Sequence, residues 1–179
     1  MFQRLAHANI DKAKWDDCIA RSTNPLPYTF SWFLDVASPG WDALVSNDYK
    51  YVMPLTHRKK FNTAYLYQPY FTQQLGIFSA HELTQEIAQA FVNALVEYFK
   101  LIEINFNYGN ALVKNMQPVG KQNIKWEPRV THHLDMSVGY DSLFENYTAS
   151  RRRDVKKVKQ SGLVVREETS GDWLIDMFE

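Results

Sequence analysis

The run YKYVMPLTHRKKFNTAYLYQPYFTQQLGIF, residues 49–78, decides the fold of this chain. Its apolar, aromatic and β-branched segments are separated by residues that favour turns and bulges, such as Asn62 and Gly76. The pattern predicts strands over residues 49–55, 62–67 and 72–78. Since residues 41–46 form a further apolar run, we expect an antiparallel meander over residues 41–78, with a two-residue turn at Asn47-Asp48.

Helices are expected before and after this meander. Asp11 is a suitable N-cap for a helix over residues 12–20, and Ser31 for a short helix over residues 32–37. The longest helix is predicted over residues 82–99, where Ser79 and Glu82 have the spacing of a capping box. Its apolar stripe at helical spacing consists of Leu83, Ile87, Phe91, Ala94, Leu95 and Tyr98.

The rest of the chain also mixes strands and helices. The segment LIEINFN, residues 101–107, alternates apolar and polar residues and predicts a half-buried strand. Two more strands are expected at residues 123–127 and 130–137, followed by helices at 141–147 and 150–161 and a short strand at 163–166. The expected fold class is α+β, a mostly antiparallel mixed sheet flanked by helices.

The composition is typical of a folded globular protein, with 45% apolar and 15% aromatic residues among 179. The formal net charge is zero, so binding to nucleic acid or a membrane surface requires a local patch. Cys18 is the only cysteine, which excludes an intrachain disulfide and a cysteine-based metal site. No apolar run reaches membrane-spanning length and the first residues lack the apolar core of a signal peptide, so we expect a cytoplasmic location and no membrane span.

The most distinctive local feature is the basic run SRRRDVKKVKQS, residues 150–161. Arg152, Lys156 and Lys159 share one face of the predicted helix, whereas Val155 and Val158 lie on the other side. Six cations within residues 151–160 indicate a contact with phosphate or nucleic acid. A solvated helix face, partly neutralised by the acidic tail that follows, is the alternative interpretation.

A second candidate site lies on the polar side of the strand predicted at residues 101–107. Glu103, Asn105 and Asn107 share that side, where they could line a cleft and orient an amine or a carbonyl through hydrogen bonds. A wet sheet face under a loop is the alternative. The tyrosine-rich segment that contains Tyr67, with Gln73 near it in sequence, is interpreted either as the floor of a substrate groove or as core.

Motifs for nucleophilic or metal chemistry are absent from the sequence. It contains no G-x-S-x-G, no G-x-G-x-x-G and no P-loop signature. His132 and His133 are adjacent, and adjacent residues of a strand point to opposite faces, so they are not expected to chelate one ion together.

Four segments of the chain together resemble one known family. They are residues 10–15, residues 41–55 ending in Val52-Met53-Pro54-Leu55, residues 67–76, and Arg152-Arg153-x-Val155-Lys156-Lys157-x-Lys159-x-x-Gly162-Leu163-x-Val165. The last is similar to the stretch R-x-x-I-x-K-A-x-K-x-G-x-x-V of the Fem family of nonribosomal peptidyltransferases. That family and its uncharacterised bacterial relatives belong to the GNAT-like acyl-CoA N-acyltransferase fold.

The resemblance implies a reaction in which an amine attacks an activated acyl group carried by aminoacyl-tRNA or acyl-CoA. Its acceptor is a small-molecule or peptidoglycan-precursor-like amine, and residues 151–159 are expected to contact the tRNA. The expected substrate-binding residues are Arg152, Arg153, Lys59, Lys60, Tyr67, Gln73, Glu103, Asn105 and Asn107. The pyrophosphate loop Q/R-x-x-G-x-G/A of CoA users is missing, which weakens the expectation of CoA binding. No catalytic base and no certain cofactor are predicted.

A second hypothesis is a non-catalytic, degenerate GNAT-like lobe that acts as a binding or oligomerisation module. Fem enzymes pair two lobes, so we expect one lobe at residues 1–150 and the start of a second at residues 151–179. The apolar segment at residues 173–178 is too short to be a stable helix alone. It is expected to pack on a missing second lobe or on another copy in a homodimer, with docking onto its own sheet as the alternative.

Overall fold

The computed structural model describes residues 2–46, 48–61, 63–114, 116–120, 124–164, 167 and 171. The chain divides into two compact units, Met1–Val130 and Thr131–Glu179. Every strand among the described residues belongs to the first unit, and the second unit contains two helices. The class is therefore mixed α+β with two small, mostly antiparallel sheets, which confirms the class expected from the sequence. The lobe boundary expected at residue 150 stays a prediction.

The first sheet consists of β1 (Phe2–Leu5), β2 (Asp42–Ser46) and β3 (Val52–Leu55) in the antiparallel order β1-β2-β3. Its central strand β2 is buried on both faces, which explains why it lacks the polar alternation of a half-buried strand. Of the turn predicted at Asn47-Asp48, Asn47 lies outside the described residues; β3 begins at Val52 and not at Tyr49, so the connection to β2 is longer than the predicted two residues. The carboxylate of Asp48 accepts hydrogen bonds from the main-chain nitrogen of Lys50 and the hydroxyl of Ser46, both at 3.0 Å, and so favours the wider loop.

The second sheet consists of β4 (His57–Lys60), β5 (Thr63–Leu66) and β6 (Leu101–Ile102). β4 and β5 are antiparallel, whereas β5 and β6 are parallel. One residue, Thr56, joins β3 to β4 and is completely buried. Its hydroxyl donates to the carbonyl oxygen of Tyr67 at 2.7 Å and its own carbonyl accepts from the nitrogen of Tyr67 at 3.0 Å.

The strand predicted at residues 72–78 is wrong, so the expected continuous meander is replaced by two separate hairpins. The strand-like pairing of this segment among the described residues consists of two isolated bridges, Val52 with Phe78 and Leu75 with Phe106. Gly76 interrupts it with a φ of +102°, outside the range of an extended strand. Main-chain hydrogen bonds at these bridges satisfy Leu75 and Phe78, and side-chain amides from distant residues, described below, satisfy Ile77 between them.

The helices of the first unit are α1 (Lys12–Arg21), α2 (Ser31–Ala37) and α3 (Gln85–Tyr98). As predicted, Asp11 caps α1 by accepting from the nitrogen of Lys14 at 3.1 Å. Ser31 is the first residue of α2 instead of its cap, and its N–H donates to the Asp16 carboxylate at 2.7 Å.

The long helix α3 begins later than expected. Thr84 is its N-cap, so the predicted capping box of Ser79 and Glu82 is wrong. The Ser79 hydroxyl donates instead to the carbonyl oxygen of Lys50 at 2.7 Å. The predicted apolar stripe is confirmed at its centre, since Phe91 and Leu95 are buried in the core.

Two apolar clusters fill the first unit. One contains the buried side of α3 together with Met53, Leu55 and Leu66 from the sheets. The other contains Trp15 and Ile19 of α1, and residues of α2 and the first sheet. Because the first sheet contributes to both clusters, helices cover it on both faces.

The strand predicted at residues 101–107 is wrong beyond Ile102, although its apolar alternation is confirmed: Ile102, Ile104 and Phe106 pack against the core. The strands expected at 123–127 and 130–137 are also wrong, because residues 124–137 contain no strand. The Gln117 side chain takes the place of a neighbouring strand: its Oε1 accepts from the nitrogen of Ile124 at 3.1 Å and its Nε2 donates to the carbonyl oxygen of Ile124 at 3.0 Å.

The second unit contains α4 (Tyr140–Glu145) and α5 (Ala149–Gln160), close to the bounds predicted for both helices. Gly162 follows α5 with a φ of +74°, as expected of a residue that ends a helix. Leu163 and Val164 are not in a strand, whereas residues 165 and 166 of that predicted strand lie outside the described residues. The apolar segment at residues 173–178 also lies outside them. No helix in the described ranges has the length and apolar character needed to cross a membrane.

Candidate functional site

The second sheet has one side in the core and one side in solvent. Ala64, Leu66 and Ile102 pack into the core. On the opposite side, Arg58 is paired with Tyr65, Lys60 with Thr63, and Tyr65 with Leu101. We call this solvent side the outer face; continued past the strand ends by the same alternation, it consists of Arg58, Lys60, Thr63, Tyr65, Tyr67, Leu101 and Glu103.

Cations on the outer face lie against aromatic rings. The Cζ atom of Arg58 is 4.4 Å from the ring centre of Tyr67, and the Nζ atom of Lys60 is 5.6 Å from that of Phe61. The ring centres of Tyr65 and Tyr67 are 6.2 Å apart. Within the described part of the chain, neither Arg58 nor Lys60 forms an ion pair with a carboxylate. Both charges therefore remain available to an anionic ligand.

The outer face brings together three residues that the sequence identified as substrate contacts: Lys60, Tyr67 and Glu103. Lys59 is exposed but alternates to the other side of β4. Arg58 was missed, although the alternation of His-Arg-Lys-Lys in a strand assigns it to the same side as Lys60.

Gln73 and Asn105 contact each other beside this sheet. The Nδ2 atom of Asn105 donates to the carbonyl oxygen of Gln73 at 3.3 Å, and its main-chain nitrogen donates to Oε1 of Gln68 at 2.9 Å. The side chain of Gln73 is exposed. Asn105 therefore connects the irregular segment 72–78 to the segment that follows β6.

Asn107 is buried in a network of amides instead of lining an open cleft. Its Nδ2 atom donates to the carbonyl oxygens of Leu75 and Ile77 at 2.9 and 3.2 Å. Its Oδ1 atom accepts from the Asn24 side chain, and Asn110 Oδ1 accepts from the nitrogen of Ile77 at 2.7 Å. The buried amides thus satisfy the main-chain groups of Ile77, which lies between the two isolated bridges of this segment.

In the second unit, two of the predicted phosphate contacts are turned toward α4. The Nη1 atom of Arg152 donates to the carbonyl oxygen of Glu145 at 2.7 Å, and the Nζ atom of Lys159 lies 5.8 Å from the ring centre of Tyr140. Arg153 and Lys157, four residues apart, are exposed neighbours on another side of α5, and Lys156 is exposed between these two and Arg152. Neither Arg153 nor the two lysines form an ion pair within the described residues.

Two carboxylates in the first unit are engaged by structural partners. Burial raises the pKa of Asp35, but hydrogen bonds from Lys12, His7 and Trp41 outweigh that effect and lower the pKa to about 2. Asp42 accepts from Nε and Nη2 of Arg4 at 2.9 and 2.6 Å. Both groups hold β1, α1 and α2 against β2, which leaves them poorly suited to act on a substrate.

A charged groove of about 440 Å³ lies between α1 and residues 48–50, and Lys14, Asp17, Arg21, Lys50 and His81 are among its lining residues. Cys18 also lines the groove, and burial raises the pKa of its thiol to about 11. At neutral pH the thiol is therefore protonated and is not a nucleophile. Arg21 is paired with Asp17, so part of the positive charge of this groove is neutralised.

Among the residues that the structure describes, no three His, Cys, Asp or Glu side chains come together in a group that could hold a metal ion. Comparison of the chain with protein-family models, curated proteins and solved structures finds no match.

Proposed function

We propose that this chain is a transferase-like domain that moves an activated acyl or aminoacyl group onto an amine. The observation that carries the proposal is the outer face, where Lys60, Tyr67 and Glu103 lie together with Arg58. The cations would bind the phosphates of the donor. The exposed carboxylate of Glu103 would hold the acceptor amine by hydrogen bonds.

The donor we favour is aminoacyl-tRNA over acyl-CoA, because the sequence lacks the pyrophosphate loop of CoA users. Arg153, Lys156 and Lys157 on α5 would add contacts to the RNA backbone. The acceptor would be a small-molecule or peptidoglycan-precursor-like amine. We further propose that the fold is a variant of the GNAT-like fold and that the location is cytoplasmic. We also propose that a second lobe or a second copy of the chain completes the site.

The reaction would depend mainly on positioning of the two substrates. The amine nitrogen attacks the acyl carbon, the ester bond of an aminoacyl-tRNA or the thioester of an acyl-CoA breaks, and the amine proton passes to the leaving oxygen or sulfur. No covalent intermediate with the protein is required.

A non-catalytic binding module is the second candidate, and the hydrogen bonds of Asn105 and Asn107 favour it. Both side chains were expected to contact substrate, but both donate to main-chain carbonyls of the segment 72–78. In that case the outer face would bind the same phosphate-bearing ligand without transferring a group from it.

The two candidates are separated by measuring binding and transfer on the same samples. The full chain is titrated with aminoacyl-tRNA, acyl-CoA and a nucleotide-sugar, and then incubated with radiolabelled donor and a mixture of amines. Transfer that falls about tenfold in Glu103→Gln, but not in Glu97→Gln on the exposed side of α3, supports the transferase. Binding without transfer supports the module, and no binding of any donor refutes both.

A further inference from the structure

We propose that the outer face, together with Phe61, is a stacking platform for single-stranded nucleic acid. Unpaired bases would stack on the rings of Phe61, Tyr65 and Tyr67, and phosphates would bind Arg58 and Lys60. The inference rests on the proposed function, because it specifies which part of an aminoacyl-tRNA donor binds to this face. The binding itself requires neither an acyl group nor transfer.

Phe61 is the first observation that points to a planar ligand. It directly follows the last residue of β4, where it has a φ of +47° and an exposed fraction of 91%. A bulky residue is disfavoured in this left-handed conformation, and an exposed ring gains nothing from burial. Neither the turn nor the core needs a phenyl ring there, so the ring is displayed for contact with a ligand.

The second observation is the charge around the rings. Arg58 and Lys60 lie on the side of the hairpin that carries Tyr65 and Tyr67, and neither is neutralised by a carboxylate of the described residues. The formal net charge of the chain is zero, so attraction of a polyanion has to come from such a local group. Alternating rings and cations are the arrangement that binds the bases and the backbone of a single strand.

The chemistry of the face favours a single strand over a duplex or a membrane. A duplex hides the faces of its bases, so it would use the cations but not the rings. An anionic lipid surface would also use the cations, but it offers no planar groups for the rings. The exposed carboxylate of Glu103 can accept a hydrogen bond from the amino group of a base.

The test is fluorescence anisotropy with the full chain and an end-labelled oligonucleotide that carries no acyl group. A length of about ten residues spans a site of this kind. Single-stranded RNA, single-stranded DNA and the matching RNA duplex are compared. Heparin tests general polyanion binding, and phosphatidylserine vesicles test a lipid surface. RNA and DNA strands both offer bases and phosphates, so tighter binding of the RNA strand identifies RNA as the ligand.

The chain offers matched control variants. Phe61→Asn removes the ring and suits a left-handed backbone; Phe71→Asn is its control, because Phe71 has a φ of +61° and an exposed fraction of 93% but no cation over its ring among the described residues. Lys60→Ala is compared with Lys59→Ala, which removes the same charge from the other side of β4. Arg58→Lys keeps the charge and loses the planar group.

The expected result is a loss of about tenfold in single-strand affinity for Phe61→Asn and for Arg58→Lys, with little change for Phe71→Asn. Lys60→Ala should reduce the slope of log K against log salt by about 0.7, and more than Lys59→Ala. Equal losses in the control variants, equal or tighter binding of the duplex, or binding of vesicles or heparin alone would overturn the platform. If the strand without an acyl group binds but no acyl group is transferred from aminoacyl-tRNA, only the transferase is refuted. If transfer occurs but the strand does not bind, only the platform is refuted.

Discussion

Asn107 donates two hydrogen bonds to the same carbonyl oxygen of Leu75, from its main-chain nitrogen at 2.8 Å and from its Nδ2 atom at 2.9 Å. The two residues belong to segments that are both too irregular to form a ladder. The side chain of Asn107 therefore supplies donors that a neighbouring strand would otherwise supply.

Asn107→Ala should lower the free energy of unfolding by about 2 kcal/mol, because it removes the hydrogen bonds from Nδ2 to the carbonyl oxygens of Leu75 and Ile77 and the hydrogen bond that the buried Asn24 amide donates to Oδ1. Asn105→Ala is the control, since Asn105 is partly exposed and water can replace its side-chain hydrogen bond; we expect a loss below about 1 kcal/mol. Urea unfolding followed by tryptophan fluorescence measures both. An unchanged stability for Asn107→Ala would contradict the structural role and restore Asn107 as a candidate site residue.

Gly76→Ala should be more damaging than a typical glycine substitution. A Cβ atom at this position would lie 2.3 Å from Oδ1 of Asn110 and 2.8 Å from Cδ1 of Phe106, and the φ of +102° already disfavours a side chain. We expect a destabilisation of about 3 kcal/mol or more, from overpacking and backbone strain together. Gly40→Ala is the control that measures backbone strain without overpacking, because Gly40 has a φ of +77° and its Cβ would meet nothing within 4 Å. We expect a destabilisation of about 1 kcal/mol for this variant. Similar losses for the two variants in thermal unfolding would show that the space around Gly76 is not restrictive.

The basic helix α5 should contact a polyanion through the residues that do not bind to α4. We expect Arg153→Ala with Lys157→Ala to weaken tRNA binding and to reduce the salt slope by about 1 to 2. The matched pair Arg152→Ala with Lys159→Ala removes the same charge but also the contacts with Glu145 and Tyr140, so it should lower the helicity of the second unit as well. Filter binding at several salt concentrations gives the slopes, and circular dichroism gives the helicity. An unchanged slope for the first pair would leave α5 as a solvated helix.

Asp35 should make the stability of the first unit sensitive to acid. Its pKa is about 2 when folded and near 3.8 when unfolded, so its contribution is present above pH 3.8 and is lost as the pH falls through 2. Because the carboxylate is partly exposed and screened, we expect about 1 kcal/mol at neutral pH. The difference in unfolding free energy between the parent and Asp35→Asn should therefore shrink between pH 4 and pH 2. A constant difference over that range would show that the ionised form is not favoured by folding.

Local signals in the sequence were sufficient for several helices. Asp11 supplies a cap for α1 within three residues, and the stripe around Phe91 and Leu95 marks the buried side of α3. The segment 72–78 could not be predicted, because the amides that satisfy it come from Asn107 and Asn110, about thirty residues later in the chain. The start of α3 was predicted too early, because the hydroxyl of Ser79 donates to the carbonyl oxygen of Lys50 instead of capping the helix.

The candidate site was predictable only in part. Alternation along β4 assigns Arg58 and Lys60 to one side, but it cannot say which side faces solvent. That is decided by the packing of Leu66 and Ile102, which requires β6 to pair with β5 across more than thirty residues. Asn107 was predicted from the same alternation to be accessible, and the return of segment 72–78 buries it.

The single connecting residue Thr56 fixes which residues of β4 face the core. Side chains alternate in direction along the chain, and Met53 and Leu55 of β3 point into the first core cluster. Because only Thr56 separates β3 from β4, the same alternation turns His57 toward the core and Arg58 outward. Inserting a single residue there would exchange the two sides of β4 and send Arg58 and Lys60 toward the core. Insertions between β2 and β3 do not change which side of β4 each residue faces, so length variation in related chains would be tolerated between β2 and β3 and selected against at Thr56.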